Sequence, residues 1–185
     1  PAAGLLLSGG LLFGTTQHTS GGAGGTIFEL GTNGSGFTVI ANGSDGAKPQ
    51  GGLVLFGGAL YGTTSDGGVP GAGSVFKVNT NGTGFVTLHT FSAPTNASIP
   101  ANNSYANNDG ALPVGTLAVS GGVLYGTAEI GGTYGVGMIF RLNTDGTGFT
   151  NLYNFTNGVD GSYPAAGMAL AGNTLYGTAS GSQAL

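Results

Sequence analysis

The phrase GGLLFGTT at residues 9–16 is written again as GGALYGTT at 57–64, GGVLYGTA at 121–128 and GNTLYGTA at 172–179. A phrase that returns in register marks one supersecondary unit used repeatedly, and such a unit buries its apolar faces only against its neighbours. The equivalent aromatics Phe13, Tyr61, Tyr125 and Tyr176 stand 48, 64 and 51 residues apart. A second phrase follows at constant distance: TIFELGTNGSGFTVI at 26–40, SVFKVNTNGTGFVTL at 74–88 and MIFRLNTDGTGFTNL at 138–152. A third closes each copy, as DGAKP at 45–49, DGALP at 109–113 and DGSYP at 160–164. The long interval holds an insertion, SAPTNASIPANNSYANN, at 92–108, and apart from it the period is about 48–51 residues.

Each phrase reads as β structure. GLVLFGGALYGTT is two apolar runs around Gly-Gly, the pattern of a tight hairpin. SVFKVNTNGTGFVTL is two runs rich in β-branched and aromatic residues around Asn-Gly, which accepts positive φ and favours hairpin turns. Helix signals are absent, because Gly and Thr are dense and no stretch sustains a 3.6-residue period. The expected fold is all-β, with tandem four-stranded repeats forming a β-propeller-like domain, since four strands in about 48 residues is the size of a propeller blade. The small residues of YGTT suit the crowded inner strand near the axis, and Phe and Tyr would fill the space between blades. The chain is read as a single repeat domain over 1–185, with copies at about 1–50, 51–114 (carrying the insertion 92–108), 115–166 and a partial 167–185. The last copy has the first hairpin without the second, so the reading is four blades with the last one incomplete in this chain. The remaining strands would come from a longer parent chain or from a neighbouring copy, because an open edge is a template for strand pairing.

Composition narrows the function classes. Glycine makes up 41 of 185 residues, about 22% against a usual ~7%. Disordered chains are poor in apolar residues and rich in charge; here the hydrophobic fraction is 39% and the charged fraction 5%, so the chain is expected to fold. Three Lys/Arg against seven Asp/Glu leave a net charge of −4 and no basic patch for a phosphate backbone, which excludes nucleic acid as a partner. There is no cysteine for a disulfide or thiolate site. No apolar run approaches the ~20 residues of a membrane-spanning helix.

The consensus GxLxxxGGxLYGTTxxGGxxGxGxVFxxNxDGTGFxxLxxF is carried by residues 51–91 and 124–155. It resembles the GloVer tandem repeat of secreted bacterial proteins, whose chains often end in a surface-anchoring signal. The resemblance covers nearly the whole chain apart from 92–108. It implies a propeller-like fold and an extracellular location, and it brings no catalytic residues.

Residues that could carry chemistry are few. Asp45, Asp109 and Asp160 recur once per repeat; they could offer oxygen ligands to Ca²⁺, but each stands alone and reads better as a turn cap. Glu29, Lys77 and Arg141 share one repeat position, and its change of sign reads as a solvated strand face. His18 and His89 are at non-equivalent positions with no metal spacing. No nucleophile, base and orienting group are proposed together, so the chain is read as no enzyme, with no cofactor and no metal. Six Asn-x-Ser/Thr triplets, at Asn33, Asn42, Asn81, Asn96, Asn102 and Asn154, are candidate glycosylation sites; Asn33 and Asn81 also serve turns, and Asn96 and Asn102 lie in the polar insertion. The fourfold aromatics Phe13, Tyr61, Tyr125 and Tyr176 read as core, while Tyr105, Tyr134 and Tyr163 sit in looser segments. The functional expectation is an extracellular or cell-surface structural protein that assembles head-to-tail with itself into a fibre or sheath and carries sugars. The alternative is a carbohydrate-binding, lectin-like propeller module whose partners are glycans.

Overall fold

The computed structural model describes residues 3–18, 24–42, 48–68, 71–94 and 105–181. Their fourteen strands fall into three four-stranded meanders and one hairpin, all antiparallel. The first meander is β1 (Leu6–Ser8), β2 (Leu11–Thr16), β3 (Thr26–Gly31) and β4 (Thr38–Asn42). The second is β5 (Val54–Phe56), β6 (Ala59–Thr64), β7 (Ser74–Asn79) and β8 (Val86–Thr90). The third is β9 (Ala118–Ser120), β10 (Val123–Ala128), β11 (Met138–Asn143) and β12 (Thr150–Asn154). The hairpin is β13 (Ala169–Ala171) and β14 (Thr174–Tyr176). No helix occurs among the described residues, and hence none long and apolar enough to cross a membrane.

The first strands of successive copies touch, β5 with β9 and β9 with β13, so each meander radiates from a common axis as the blade of a propeller. We call the meanders blades 1 to 3. YGTT therefore lies on the second strand of each blade and not on the axis, contrary to the expectation from its small residues. Its glycine is needed for a different close approach, described below. Gly-Gly makes the tight turn at 9–10, 57–58 and 121–122, where both residues have positive φ of 56–79°, as a two-residue turn matching strand twist requires. The Asn-Gly or Asp-Gly of the second hairpin behaves differently. It lies in a six-residue connection, 32–37 in blade 1, because the following GTGF or GSGF must bring a phenylalanine back over the blade. Phe37, Phe85 and Phe149 stack on Phe28, Phe76 and Phe140 at centroid distances of 5.4, 5.5 and 5.6 Å.

Strand alternation gives every blade two faces. In blade 2, Leu60, Phe76 and Val78 face blade 1 and join Phe13 and Ile27 in one core. Ala59, Tyr61 and Val75 face blade 3 and join Leu117, Leu124, Met138, Phe140 and Leu142 in the other. All six residues of β6 are consequently buried. The outer strands β4, β8 and β12 are mostly exposed or half-buried, and each third strand carries the same register shift, at Ile27/Phe28, Val75/Phe76 and Ile139/Phe140.

Candidate functional site

The side chains that the repeat holds constant meet at the joints between blades. Three features recur there. The first is a phenylalanine over a glycine. A Cβ added at Gly14, Gly62 or Gly126 would lie 2.5, 2.5 or 2.6 Å from the Cζ of Phe28, Phe76 or Phe140. It would also lie 2.7, 3.0 or 2.7 Å from a Cδ2 of Leu5, Leu53 or Leu117. Only glycine lets both side chains pack onto the strand. The second is a threonine bond across the joint: Thr15, Thr63 and Thr127 donate their hydroxyls to the carbonyls of Gly51, Gly115 and Ala166 at 3.4, 3.2 and 3.2 Å.

The third is the DGxxP segment, which links neighbouring blades through backbone bonds. Leu112 N donates to Ala72 O in blade 2, and Glu129 N in blade 3 donates to Leu112 O, at 2.8 and 3.1 Å. The residue before proline is left-handed in all three copies, with φ of 64° at Lys48, 53° at Leu112 and 50° at Tyr163. Such a conformation is disfavoured for residues with a side chain, and is held where surrounding structure over-determines it. Asp109 and Asp160 are caps, as expected. Asp109 accepts from Ser92 N and Oγ, and Asp160 from Thr156 N and Oγ1; Asp45 lies outside the described residues. Hydrogen bonds from Thr156 and Tyr153 hold Asp160 down at about 2.

His89 belongs to the joint between blades 2 and 3. Its ring stacks on Phe149 at 3.9 Å and meets the edge of Phe91 at 4.7 Å. Its Nε2 is 3.4 Å from Asp109 Oδ2 without forming a hydrogen bond. Burial lowers its pKa, opposed by the Asp109 charge. His18 is exposed at the end of β2. The position shared by Glu29, Lys77 and Arg141 is not simply solvated. It lies beside the joint, so Glu29 and Lys77 are half-buried, with Lys77 Nζ 6.0 Å from the Tyr61 ring, while Arg141 next to the fourth-copy hairpin is exposed.

The fourfold aromatics also depart from a uniform core. Phe13 and Tyr61 are 2% and 3% exposed, Tyr125 is half-buried and Tyr176 is 58% exposed. The cause is coverage: each is buried by the next blade, and none of the described residues covers β14. Tyr105 and Tyr134 are exposed as expected, whereas Tyr163 is half-buried in its DGxxP clasp. At the opposite end, none of the described residues covers the face of blade 1 that points away from blade 2. Leu5, Leu7 and Phe37 there are 51, 64 and 61% exposed, and Leu12, Phe28 and Leu30 are half-buried although their counterparts Leu60, Phe76 and Val78 are buried.

Of the candidate glycosylation sites, Asn33 and Asn81 are exposed, and each accepts hydrogen bonds from the amide and hydroxyl of its own triplet's Ser35 or Thr83. Asp145 does the same with Thr147 in blade 3, so the position is a turn-forming one whichever residue fills it. Asn42 is exposed at the end of β4. Asn154 is half-buried and accepts from Thr133 N and Asn151 Nδ2. Asn96 and Asn102 lie outside the described residues. Among the described residues, no three of His, Cys, Asp and Glu gather as a metal site would need. A cleft of ≈ 190 Å³ between blade 3 and the last hairpin is lined by Ser120, Tyr125, Leu170, Gly172, Asn173 and Leu175.

No curated protein matches the sequence. Among solved structures, the chain is similar to one in the nidogen/laminin complex at 17% identity and a TM-score of 0.57, over 86% of this chain and 48% of that one. It thus spans about half the length of that chain. It is also similar to the tricorn protease at 16% identity and a TM-score of 0.49, over 82% of this chain and 13% of that one. At such identity the similarity to the nidogen/laminin chain establishes the fold alone. Over residues 1–184 the sequence matches the model of the Gloeobacter/Verrucomicrobia repeat, and the chain belongs to that family.

Proposed function

We propose that this protein is a structural module of the cell exterior that assembles head-to-tail with further copies of itself into a surface fibre or sheath, without enzymatic activity. The observation that carries the reading is the pair of unlike open faces. Blade 1 exposes the Leu/Phe face that every later blade buries, and the last hairpin exposes Tyr176 on the face that blades 1 and 2 bury. Such a heterologous contact does not have to close, and an unclosed one propagates as a filament. Two further features support the reading. The repeated side chains are occupied in holding blade to blade, and a chain with only 5% charged residues has a surface suited to being shared with neighbours or clothed in sugar. Exposed Asn42, Asn33 and Asn81 are the described positions where sugar would attach. Negative-stain microscopy of concentrated protein tests the reading: filaments are the expected result, and only isolated particles at every concentration would overturn it.

A second reading has one observation of its own. The cleft beside Tyr125 joins an aromatic ring to the polar side chains of Ser120 and Asn173, a combination suited to a sugar. As a lectin-like module the protein would be retained on a glycan array as a monodisperse species, and Tyr125→Ala would abolish retention.

A further inference from the structure

Asparagine followed by glycine loses its side-chain amide readily, because glycine puts no side chain in the way of its own main-chain nitrogen. That nitrogen gives up its proton and attacks the carbon of the asparagine side-chain amide. A new C–N bond forms, the bond to the side-chain nitrogen breaks, and that nitrogen leaves with the proton as ammonia. Water then opens the cyclic imide at either carbonyl, which leaves aspartate or isoaspartate. The sequence holds four such dipeptides, at 33–34, 42–43, 81–82 and 157–158. Gly43 lies outside the described residues. Asn33, Asn81 and Asn157 are all exposed, so access does not separate them.

Hydrogen bonding does. In the hairpin turns both reacting groups are tied down. Gly34 N donates to Gly31 O at 2.8 Å, and Gly82 N to Asn79 O at 2.9 Å. The side-chain oxygen of Asn33 accepts from Ser35 N and Oγ at 3.0 and 2.7 Å, and that of Asn81 from Thr83 N and Oγ1 at 3.1 and 2.7 Å. Attack at either place would have to break these bonds together. The turn after β12 is built differently. Asn157 is itself left-handed, with φ of 62°. Its main-chain N donates to Gly161 O, but its side chain bonds to none of the described residues. Gly158 N donates only to side chains, Thr156 Oγ1 at 3.3 Å and Asp160 Oδ1 at 3.2 Å.

We propose that Asn157 is a site of spontaneous modification, where the folded chain converts asparagine to aspartate or isoaspartate while the turns protect Asn33 and Asn81. The protection is kinetic, because blade 3 carries Asp145 at the hairpin position with the same two bonds from Thr147, and so an acid fits there. Conversion at Asn157 falls instead in the connection that leads into DGSYP. It adds a negative charge near Asp160, whose carboxylate already accepts from Thr156, Tyr153 and Gly158. As isoaspartate it also adds a carbon to the main chain just before Ser162 and Tyr163, which bond to Ser180 O and Val136 O.

The test ages chain of intact mass 17.9 kDa, so that no sugar shields an asparagine, at mildly alkaline pH. Conversion at each dipeptide is read by peptide mapping with mass spectrometry, and a second sample is aged unfolded in guanidinium chloride. In the folded chain the rate at Asn157 is expected to exceed those at Asn33 and Asn81 at least tenfold. In the unfolded sample the three rates should become comparable, since each asparagine then faces only its glycine. No conversion at Asn157 in the folded chain, or conversion at Asn33 or Asn81 as fast as there, overturns the proposal. An unfolded sample that keeps the tenfold order overturns it too, because local sequence and not the turns would then set the rates.

Discussion

Gly62 and Gly177 occupy the same place in the repeat, and the difference in their surroundings makes the joint measurable. A methyl at Gly62 must displace the ring of Phe76, which is 1% exposed, whereas at Gly177, among the described residues, it meets only the flexible end of Met168. Overpacking of this kind costs about 1–3 kcal/mol. Gly62→Ala is therefore expected to lower the unfolding free energy read by denaturant titration by that amount, and Gly177→Ala to leave it almost unchanged. The stacked ring carries the same contrast. Phe76→Ala should cost about 3–5 kcal/mol, and Phe28→Ala less than half as much, because Phe28 sits on the uncovered face. His89 adds a pH dependence of definite sign. Its pKa is lowered in the fold by burial, so the unfolded chain binds the proton first as pH falls below about 6.5. Stability is complete above that value and declines as pH falls toward the lowered one. Denaturation midpoints at pH 7.5 and 5.5 should differ in the wild type, and by less in His89→Phe, which keeps the ring and removes the proton site. The repeat made the glycine and the phenylalanine visible in the sequence, but not that they meet. That contact depends on the strand pairing Gly62↔Phe76, which periodicity alone does not supply.

At the scale of the element, the hairpins were legible because their turn chemistry is local. Gly57-Gly58 dictates its own turn, and the runs on either side have nowhere else to pair. The second hairpin was legible only in part. Its two strands are where the sequence puts them, but its connection is set by a tertiary stack, Phe85 on Phe76, and Asn81 closes a local turn within it. The placement of YGTT on the axis failed for a similar reason, since small residues signal close approach without saying of what. The left-handed residue of DGxxP had no signal at all: Lys48, Leu112 and Tyr163 share no property that favours positive φ, and the bonds to two neighbouring blades impose it. The threonine row gives a test at this scale. Thr127→Val removes a donor to Ala166 O and should cost about 1 kcal/mol of stability, read by denaturant titration. Thr178→Val, whose hydroxyl makes no such bond among the described residues, should leave the stability of the isolated chain unchanged.

At the scale of the molecule, a blade is stable because it is covered on both sides, and among the described residues the two ends of the arc lack one cover each. The repeat phase made the last hairpin legible in the sequence. The exposed face of blade 1 was not, because Leu5, Leu12 and Phe28 are the same residue types that are buried elsewhere, and only position distinguishes them. If the faces are interfaces, a charge on either should stop association without unfolding the chain, since Leu7 and Phe37 are 64 and 61% exposed and surface substitutions cost little. Sedimentation velocity over a hundredfold range of concentration tests this most directly, comparing the wild type with the double variant Leu7→Glu/Phe37→Glu. The wild type should shift to progressively larger species as concentration rises, while the variant stays a single folded 17.9 kDa particle. A wild type that sediments as one 17.9 kDa species throughout, or a variant that associates just as readily, would contradict the claim that the blade faces are what joins one copy to the next.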